Sequence, residues 1–315
     1  MTMAETTTPH TLGTRLASLV PRLACPNCHG AVRPTEGALV CERCARRYPV
    51  VGEMAVLLDE ESAAEINSAR DGAENVRLRT SLRQSGMLRF ADAMRPPHPF
   101  LFLNGRRNRG AFSELVPAGN DTVVLDIGSG LLKGLNASGL SERVYNSLIP
   151  LEIAPGPGIG VVGDAHKLPF CDGALDGVLI QGVLEHVRDP ERIAGEIWRV
   201  LKPGAPVYVD VPFVQHYHLD PFDFRRYTVY GIEHLFARFE RVDSGVAAGP
   251  ASALADMLTE FPALLFRSPM MYWGVKFVTG WLTSPIRFLD VFWSKAHRAH
   301  IASGAVYYLG RKPAA

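Results

Sequence analysis

Val123-Val124-Leu125-Asp126-Ile127-Gly128-Ser129-Gly130 is the stretch on which the reading of the fold turns. It is an apolar, β-branched run that ends in an acid and breaks into a Gly-x-Gly turn. Such a run suits a parallel strand buried on both faces. The glycines let the backbone approach a ligand with no Cβ in the way. In an open α/β sheet, ligands sit beyond the carboxyl ends of the strands, where Asp126 would face one.

Outward from this stretch the pattern continues in order. Leu151-Glu152-Ile153 lies 22 residues past Gly130, where a second strand presents an acid to a ribose. Val161-Val162-Gly163-Asp164-Ala165, Leu168-Pro169-Phe170 and Leu175-Asp176-Gly177-Val178-Leu179-Ile180 come next. Leu184-Glu185-His186-Val187 and Leu201-Lys202-Pro203-Gly204 follow. The coarse reading is strand 122–127, a short helix near 131–142, strands 148–153, 159–163 and 175–181, helix 190–201 and strand 205–211. Alternating strands and helices predict a parallel sheet with helices on both faces. Right-handed crossovers place the strands' carboxyl ends along one edge. Residues 305–312 read as a final antiparallel strand.

Four of the five cysteines stand in two pairs, Cys25-Pro26-Asn27-Cys28 and Cys41-Glu42-Arg43-Cys44, with 12 residues between them. Two C-x-x-C knuckles supply four thiolates to one tetrahedral ion, which predicts a structural Zn2+ site. The intervening residues read as a hairpin turned at Glu36-Gly37. So small a module lacks a sufficient core, and metal binding of roughly 10–16 kcal/mol would supply its folding energy. Four sulfur ligands leave no open position for water, so the metal is given no catalytic role. The pairing also implies a reducing, cytoplasmic setting rather than disulfides.

The ordered set over residues 111–245, with its D-A-x-x-L-P-F and L-E-H-V stretches, resembles the class I S-adenosylmethionine-dependent methyltransferases of the type 11-like group. The cysteine module is similar to the short zinc-ribbon proteins that partner and activate some methyltransferases, here fused into one chain. The resemblance implies a Rossmann-like α/β sheet. It also implies cofactor roles: Asp126, Gly128 and Gly130 at the methionine part of S-adenosyl-L-methionine, Glu152 at both ribose hydroxyls, Asp164 with Ala165 at the adenine, and Gln181 with Gly182 beneath the sulfonium. Leu131-Leu132 replace the third small residue common after Gly130, so this loop departs from the family pattern.

The expected layout is a disordered tail over 1–12, the zinc ribbon over 13–60 and a helical connector over 61–110. A methyltransferase domain follows over 111–315, with a helical insertion at about 250–300. The formal net charge of +1 gives no global reason for nucleic-acid or membrane binding. Residues 1–110 hold 15 Arg, no Lys and 11 Asp or Glu, a mild basic bias that reads as solvated surface.

The stretch from Pro212 to Thr228 follows the strand at 205–211 directly and is dense in His, Asp, Tyr and Arg. Its H-x-D-P-x-D-F-x-R-x-T pattern resembles a methyltransferase subgroup associated with saccharide or secondary-metabolite pathways. A hydroxyl acceptor must lose its proton, and a His near neutrality suits that task when a carboxylate orients it. His218 is the candidate base, with His216 behind it and Asp220 or Asp223 as the orienting acid. Asp223 and Arg226 can equally pair with each other, with Thr228 capping the next helix.

Residues 262–295 are aromatic-rich but interrupted by Arg267, Lys276, Arg287 and Lys295, too often to span a bilayer. They predict amphipathic helices that cover the acceptor pocket or make peripheral membrane contact. The favoured function is methylation, through oxygen, of a small molecule or saccharide. Two alternatives stand beside it: an RNA methyltransferase that grips nucleic acid through the ribbon, and a non-catalytic scaffold.

Overall fold

The computed structural model describes residues 14–64, 99–119, 121–129, 138–156, 158–218 and 222–314. Eleven strands form one sheet in the order β1-β2-β3-β4-β7-β6-β5-β8-β9-β11-β10. Its centre is β5 (Val124–Ile127), flanked by β6 (Leu148–Glu152) and β7 (Val161–Gly163) on one side and β8 (Gly177–Gln181) and β9 (Pro206–Pro212) on the other. These five run parallel. Val124, Leu125, Val178, Ile180, Val207 and Val209 are fully buried, because helices cover both faces. Burying each such side chain contributes about 1.5–3 kcal/mol.

The helices begin where the sequence supplies caps. Ser141 opens α3 (Glu142–Asn146), and Asp189 opens α4 (Pro190–Val200) by accepting from the Arg192 amide at 3.0 Å. Pro190 suits the first turn of α4, where its missing N–H goes unused. Ile193, Ala194, Ile197 and Val200 put one face of α4 on the sheet. α1 (Thr14–Leu19) and α2 (Pro99–Leu115) precede these. Of the helix expected near 131–142, residues 131–137 lie outside the described residues, as do the expected tail 1–12, Leu131, Leu132 and most of the connector.

Two parts of the sheet differ from the sequence reading. The cysteine module does not end with its zinc-binding hairpin, β1 (Val32–Thr35) and β2 (Ala38–Cys41). It continues through β3 (Arg47–Val51) to β4 (Met54–Leu57), which pairs parallel with β7, Ala55 opposite Val161. The module therefore completes one side of the parallel sheet. Residues 22–24 also pair with Pro169–Cys171: the Ala24 amide donates to the Pro169 carbonyl at 3.0 Å, and the Cys171 amide to the Arg22 carbonyl at 2.9 Å. Phe170 is fully buried under this contact.

At the opposite edge, β11 (Ala305–Arg311) runs antiparallel to β9, as the sequence leads one to expect. An additional strand, β10 (Glu240–Ala248), pairs with it. Its outer half is exposed, so its sequence lacks the apolar alternation that marks a strand. After α5 (Val229–Leu235) and β10, the insertion consists of α6 (Pro250–Glu260), α7 (Pro269–Thr283), α8 (Asp290–Trp293) and short 3-10 turns.

Candidate active site and metal centre

The cysteines meet as their spacing requires. All four Sγ atoms lie within 4.8 Å of one another, with Cys28 to Cys41 at 3.5 Å and Cys25 to Cys44 at 3.7 Å. A tetrahedron of Zn–S bonds of about 2.3 Å has sulfurs about 3.8 Å apart, so the set fits zinc. Both knuckles end in a left-handed residue, His29 at φ 56° and Ala45 at φ 60°. The amides of Arg43 and Cys44 both point at Cys41 Sγ at 3.4 Å. Burial opposes ionisation of that thiol, but these amides overcome it and bring Cys41 down to about 7. The Tyr48 hydroxyl lies 3.0 Å from Cys25 Sγ. Gly30 passes so close to the second knuckle that a Cβ there would sit 2.7 Å from Arg43 Cβ and 3.1 Å from Cys41 Sγ.

The second centre is the carboxyl rim of the parallel strands. Asp126 lies within β5, and the chain turns at Gly128, whose φ is +70°. A Cβ there would lie 2.2 Å from Val183 Cγ2, so only glycine fits. The Gly128 amide donates to the Leu151 carbonyl at 3.0 Å and ties the turn to β6 beside Glu152. Gly130 lies outside the described residues. Glu152 ends β6, Asp164 follows β7, and Gln181 ends β8. The topology therefore brings Asp126, Gly128, Glu152, Asp164 and Gln181 to one rim.

Asp164 also has local duties. It accepts from the His166 amide at 2.9 Å and from the Ser62 hydroxyl at 2.9 Å, and it caps the turn Ala165–Lys167. Burial works against its charge, but these donors hold its carboxyl below the usual range. Ser62 lies just past β4, so the N-terminal module contributes a donor to the rim. Lys167 holds the same segment through Asp59 at 2.6 Å and Glu61 at 2.7 Å.

Sequence reasoning missed Arg109. It comes from α2, is buried, and donates to Gln181 Oε1 at 3.0 Å and to the Ser138 carbonyl at 2.7 Å. Burial lowers its pKa, while Tyr208, Asp210 and Asp126 favour its charge. Asp210, in β9 beside Gln181, is pushed by burial up to about 6 despite Arg109 and the Tyr208 hydroxyl. A lone arginine in a helix carries no pattern that distinguishes it from a surface residue.

The loop after β9 leaves from this same edge, because β9 runs parallel to β8. The His218 amide donates to Asp223 Oδ2 at 2.7 Å, and its ring Nδ1 lies 3.4 Å from the His216 carbonyl and 3.7 Å from Asp223. Arg226 pairs with Asp223 and also donates to the His216 carbonyl at 3.0 Å. Thr228 caps α5 by accepting from the Gly231 amide at 3.0 Å. Asp220 lies outside the described residues. Asp223 is thus both the partner of Arg226 and the acid that positions His218.

Glu185 completes the cluster. Its Oε1 is 4.0 Å from His218 Nε2 and 3.7 Å from His186 Nε2, and these three atoms lie within 4.8 Å of one another. His186 Nδ1 is 2.5 Å from the Phe222 carbonyl, which assigns its proton there and leaves Nε2 as an acceptor. Burial lowers the pKa of His218, aided by His186 and Arg226, so its ring is neutral near pH 7. Burial raises Glu185 to about 7. His216 turns the other way, with Nε2 3.8 Å from Glu260 of α6. A neutral imidazole beside a carboxyl that titrates near neutrality can accept and pass on a proton.

The arrangement is that of a class I methyltransferase sheet joined to a zinc ribbon. The methyltransferase-domain family matches residues 112–209, and the Trm112p-like protein family matches residues 19–53. The chain thus carries a methyltransferase domain of class I fold over residues 112–209, preceded by a Trm112p-like segment over residues 19–53. An uncharacterized methyltransferase of Mycobacterium sp. (strain KMS) is 36% identical over 104 residues, 30% of this chain and 40% of that protein. Norajmaline N-methyltransferase of Rauvolfia serpentina is 48% identical over 48 residues, 15% of this chain and 16% of that one. The match thus spans less than half the length of these relatives. Among solved structures, Haemonchus contortus phosphoethanolamine N-methyltransferase 2 with S-adenosyl-L-methionine aligns at TM-score 0.40 and 17% identity. It covers 66% of this chain and 52% of that one.

Proposed function

We propose that this protein transfers a methyl group from S-adenosyl-L-methionine to a hydroxyl of a small molecule or saccharide. The observation that carries the reading is that the parallel strands bring two sets of groups to their carboxyl ends: the acids and glycine turn of the rim, and, in the segments that follow β8 and β9, the Glu185–His186–His218 cluster. When bound, the cofactor supplies an electrophilic methyl on a sulfonium. Glu152 has two oxygens for a ribose diol, and the Gly128 turn leaves space for a ligand backbone. Asp126 and Gln181 would flank the methionine part, and Asp164 with Ala165 the adenine. The ribbon's Cys25, Cys28, Cys41 and Cys44 would hold Zn2+ in a structural role.

The acceptor oxygen would lie between the methyl and His218 Nε2. Nε2 would accept the proton that the hydroxyl gives up as it takes the methyl, and the donor would leave as the thioether. Asp223 and the His216 carbonyl steady the opposite side of the ring, and Glu185 is near enough to receive the proton afterwards. Proximity and alignment contribute most of the acceleration in such a displacement.

Two arginines of the ribbon are engaged within the protein and not offered to an RNA acceptor. Arg22 donates to the Ala174 carbonyl at 2.7 Å, and Arg43 to the Cys28 carbonyl at 3.0 Å. Titration calorimetry with S-adenosylhomocysteine should show binding, and Glu152→Ala should weaken it by roughly 100-fold, the loss of two charge-assisted hydrogen bonds. Unchanged affinity would refute the ribose role. His218→Ala should lower turnover by roughly 100-fold at constant cofactor affinity; full activity would remove it as the base.

A further inference from the structure

The insertion is built inside out. In α7, Tyr272, Lys276, Thr279 and Thr283 recur at helical spacing and turn inward. Thr279 donates to the Thr259 carbonyl at 2.9 Å, and the Thr259 and Thr283 hydroxyls meet at 2.8 Å. Met270, Trp273, Phe277 and Trp281 form the opposite stripe and are exposed. α6 repeats the arrangement, with Leu254, Met257 and Leu258 outward, and Phe261 just past its end is exposed too. Leu265 is 83% exposed, Met270 80% and Phe292 74%. A water-soluble helical hairpin buries such residues, and soluble proteins rarely expose apolar patches of this extent. Threonine-mediated contacts between helices with apolar exteriors are typical of a lipid setting.

The charges of the same segment have one sign on the outside. Residues 250–300 contain three acids, and all are engaged. Asp256 meets Arg287 at 2.7 Å, and Glu260 meets Lys276 at 2.6 Å. Asp290 is buried and accepts from the Ala251 and Ser252 amides, both at 2.9 Å. Arg267, Lys295 and Arg298 are exposed and, among the described residues, show no ion pair with a carboxylate. No helix among the described residues is long and apolar enough to cross a membrane. Trp273, Trp281 and Trp293 are the aromatic type that settles at the headgroup level.

We propose that the outer face of α6, α7 and α8 lies in the interfacial layer of an anionic phospholipid bilayer, with Arg267, Lys295 and Arg298 at the headgroups. Glu260 links this face to His216 of the acceptor loop. An acceptor carried on a lipid follows if the methyl-transfer reading holds, whereas bilayer binding itself stands without it.

The test is flotation of the 315-residue, zinc-loaded protein with vesicles of phosphatidylcholine alone or of equal parts phosphatidylcholine and phosphatidylglycerol. No cofactor or turnover is needed, so the result is independent of the enzymatic reading. Three cations should favour the anionic vesicles by on the order of a hundredfold, less as salt rises. Leu265→Glu with Phe292→Glu should reduce binding roughly a hundredfold. Both side chains are exposed, so circular dichroism should stay unchanged. Equal, salt-insensitive uptake by both vesicle types overturns the proposal, as does full binding by the double variant. Self-association without vesicle uptake also overturns it, because the face then belongs to a second copy.

Discussion

Glu185→Gln separates what this carboxyl does for chemistry from what it does to the fold. Glu185 is 2% exposed, and among the described residues its Oε2 has no hydrogen-bond partner. Burial raises its carboxyl from 4.5 to about 7; its own amide and Arg226 pull down, and Asp210 and Asp223 push up. His186 and His218 face it from the other side. In the unfolded chain the group ionises near 4.5, so between the two values the native state holds the extra proton. Stability from this group is therefore fully present below about 4.5 and lost as pH rises to about 7. At about 1.4 kcal/mol per pH unit, the loss is about 3 kcal/mol. Glutamine has no charge to bury. At about pH 8 the variant should be more stable by up to about 3 kcal/mol, several degrees in Tm by scanning calorimetry. At about pH 4 the two proteins should melt together. A variant that melts below the parent at high pH, or a shift indifferent to pH, would refute the buried-carboxylate argument. Turnover should fall in either case if Glu185 receives the proton from His218.

Gly128→Ala should abolish S-adenosylhomocysteine binding in calorimetry, because its Cβ would collide with Val183. Adding Val183→Ala should relieve the collision but leave the strain of a positive φ, about 1 kcal/mol. Arg109→Met should destabilise the fold by about 3–5 kcal/mol in urea unfolding, since it leaves Asp210 buried without its cation. A loss under about 1 kcal/mol would show that Asp210 is neutral at that pH. The acid limb of kcat/KM should fall below about pH 7 as Glu185 and then His218 take up protons, in the field of His186, His216, Asp210, Asp223 and Arg226. A profile flat to about pH 5 would exclude both as the acceptor of the proton.

The central strands were legible because burial on both faces leaves continuous apolar runs, as in Val123–Ile127 and Gly177–Ile180. The zinc site was legible because four thiols at that spacing have few other uses. Asp126, Glu152, Asp164 and Gln181 could be placed on one rim because each lies at or beside the carboxyl end of a strand. Ser62 and Arg109 were not legible, since each reaches the rim across the fold from a segment with no periodic signal of its own. β10 was hidden by its solvent-facing half. The insertion was legible only as amphipathic helices. Its aromatic spacing is correct for an amphipathic helix, but spacing does not say which stripe faces inward, and here the threonines do.

β4 ties the cysteine cluster to the end of the rim that carries Glu152 and Asp164. Ala55–Leu57 is a stave of the same sheet that ends in Glu152 and Asp164, and Ser62 hangs from it. Stripping zinc with a chelator should therefore do more than unravel a small appendage: it should loosen a lateral strand and weaken nucleoside binding at a distance. Titration calorimetry before and after chelation would read this directly, and undiminished affinity would show that the strand holds without its metal. A sulfur-bound ion that touches no reactant would then set how firmly the protein grips its donor, and metal scarcity would be felt as a failure of recognition before any failure of folding.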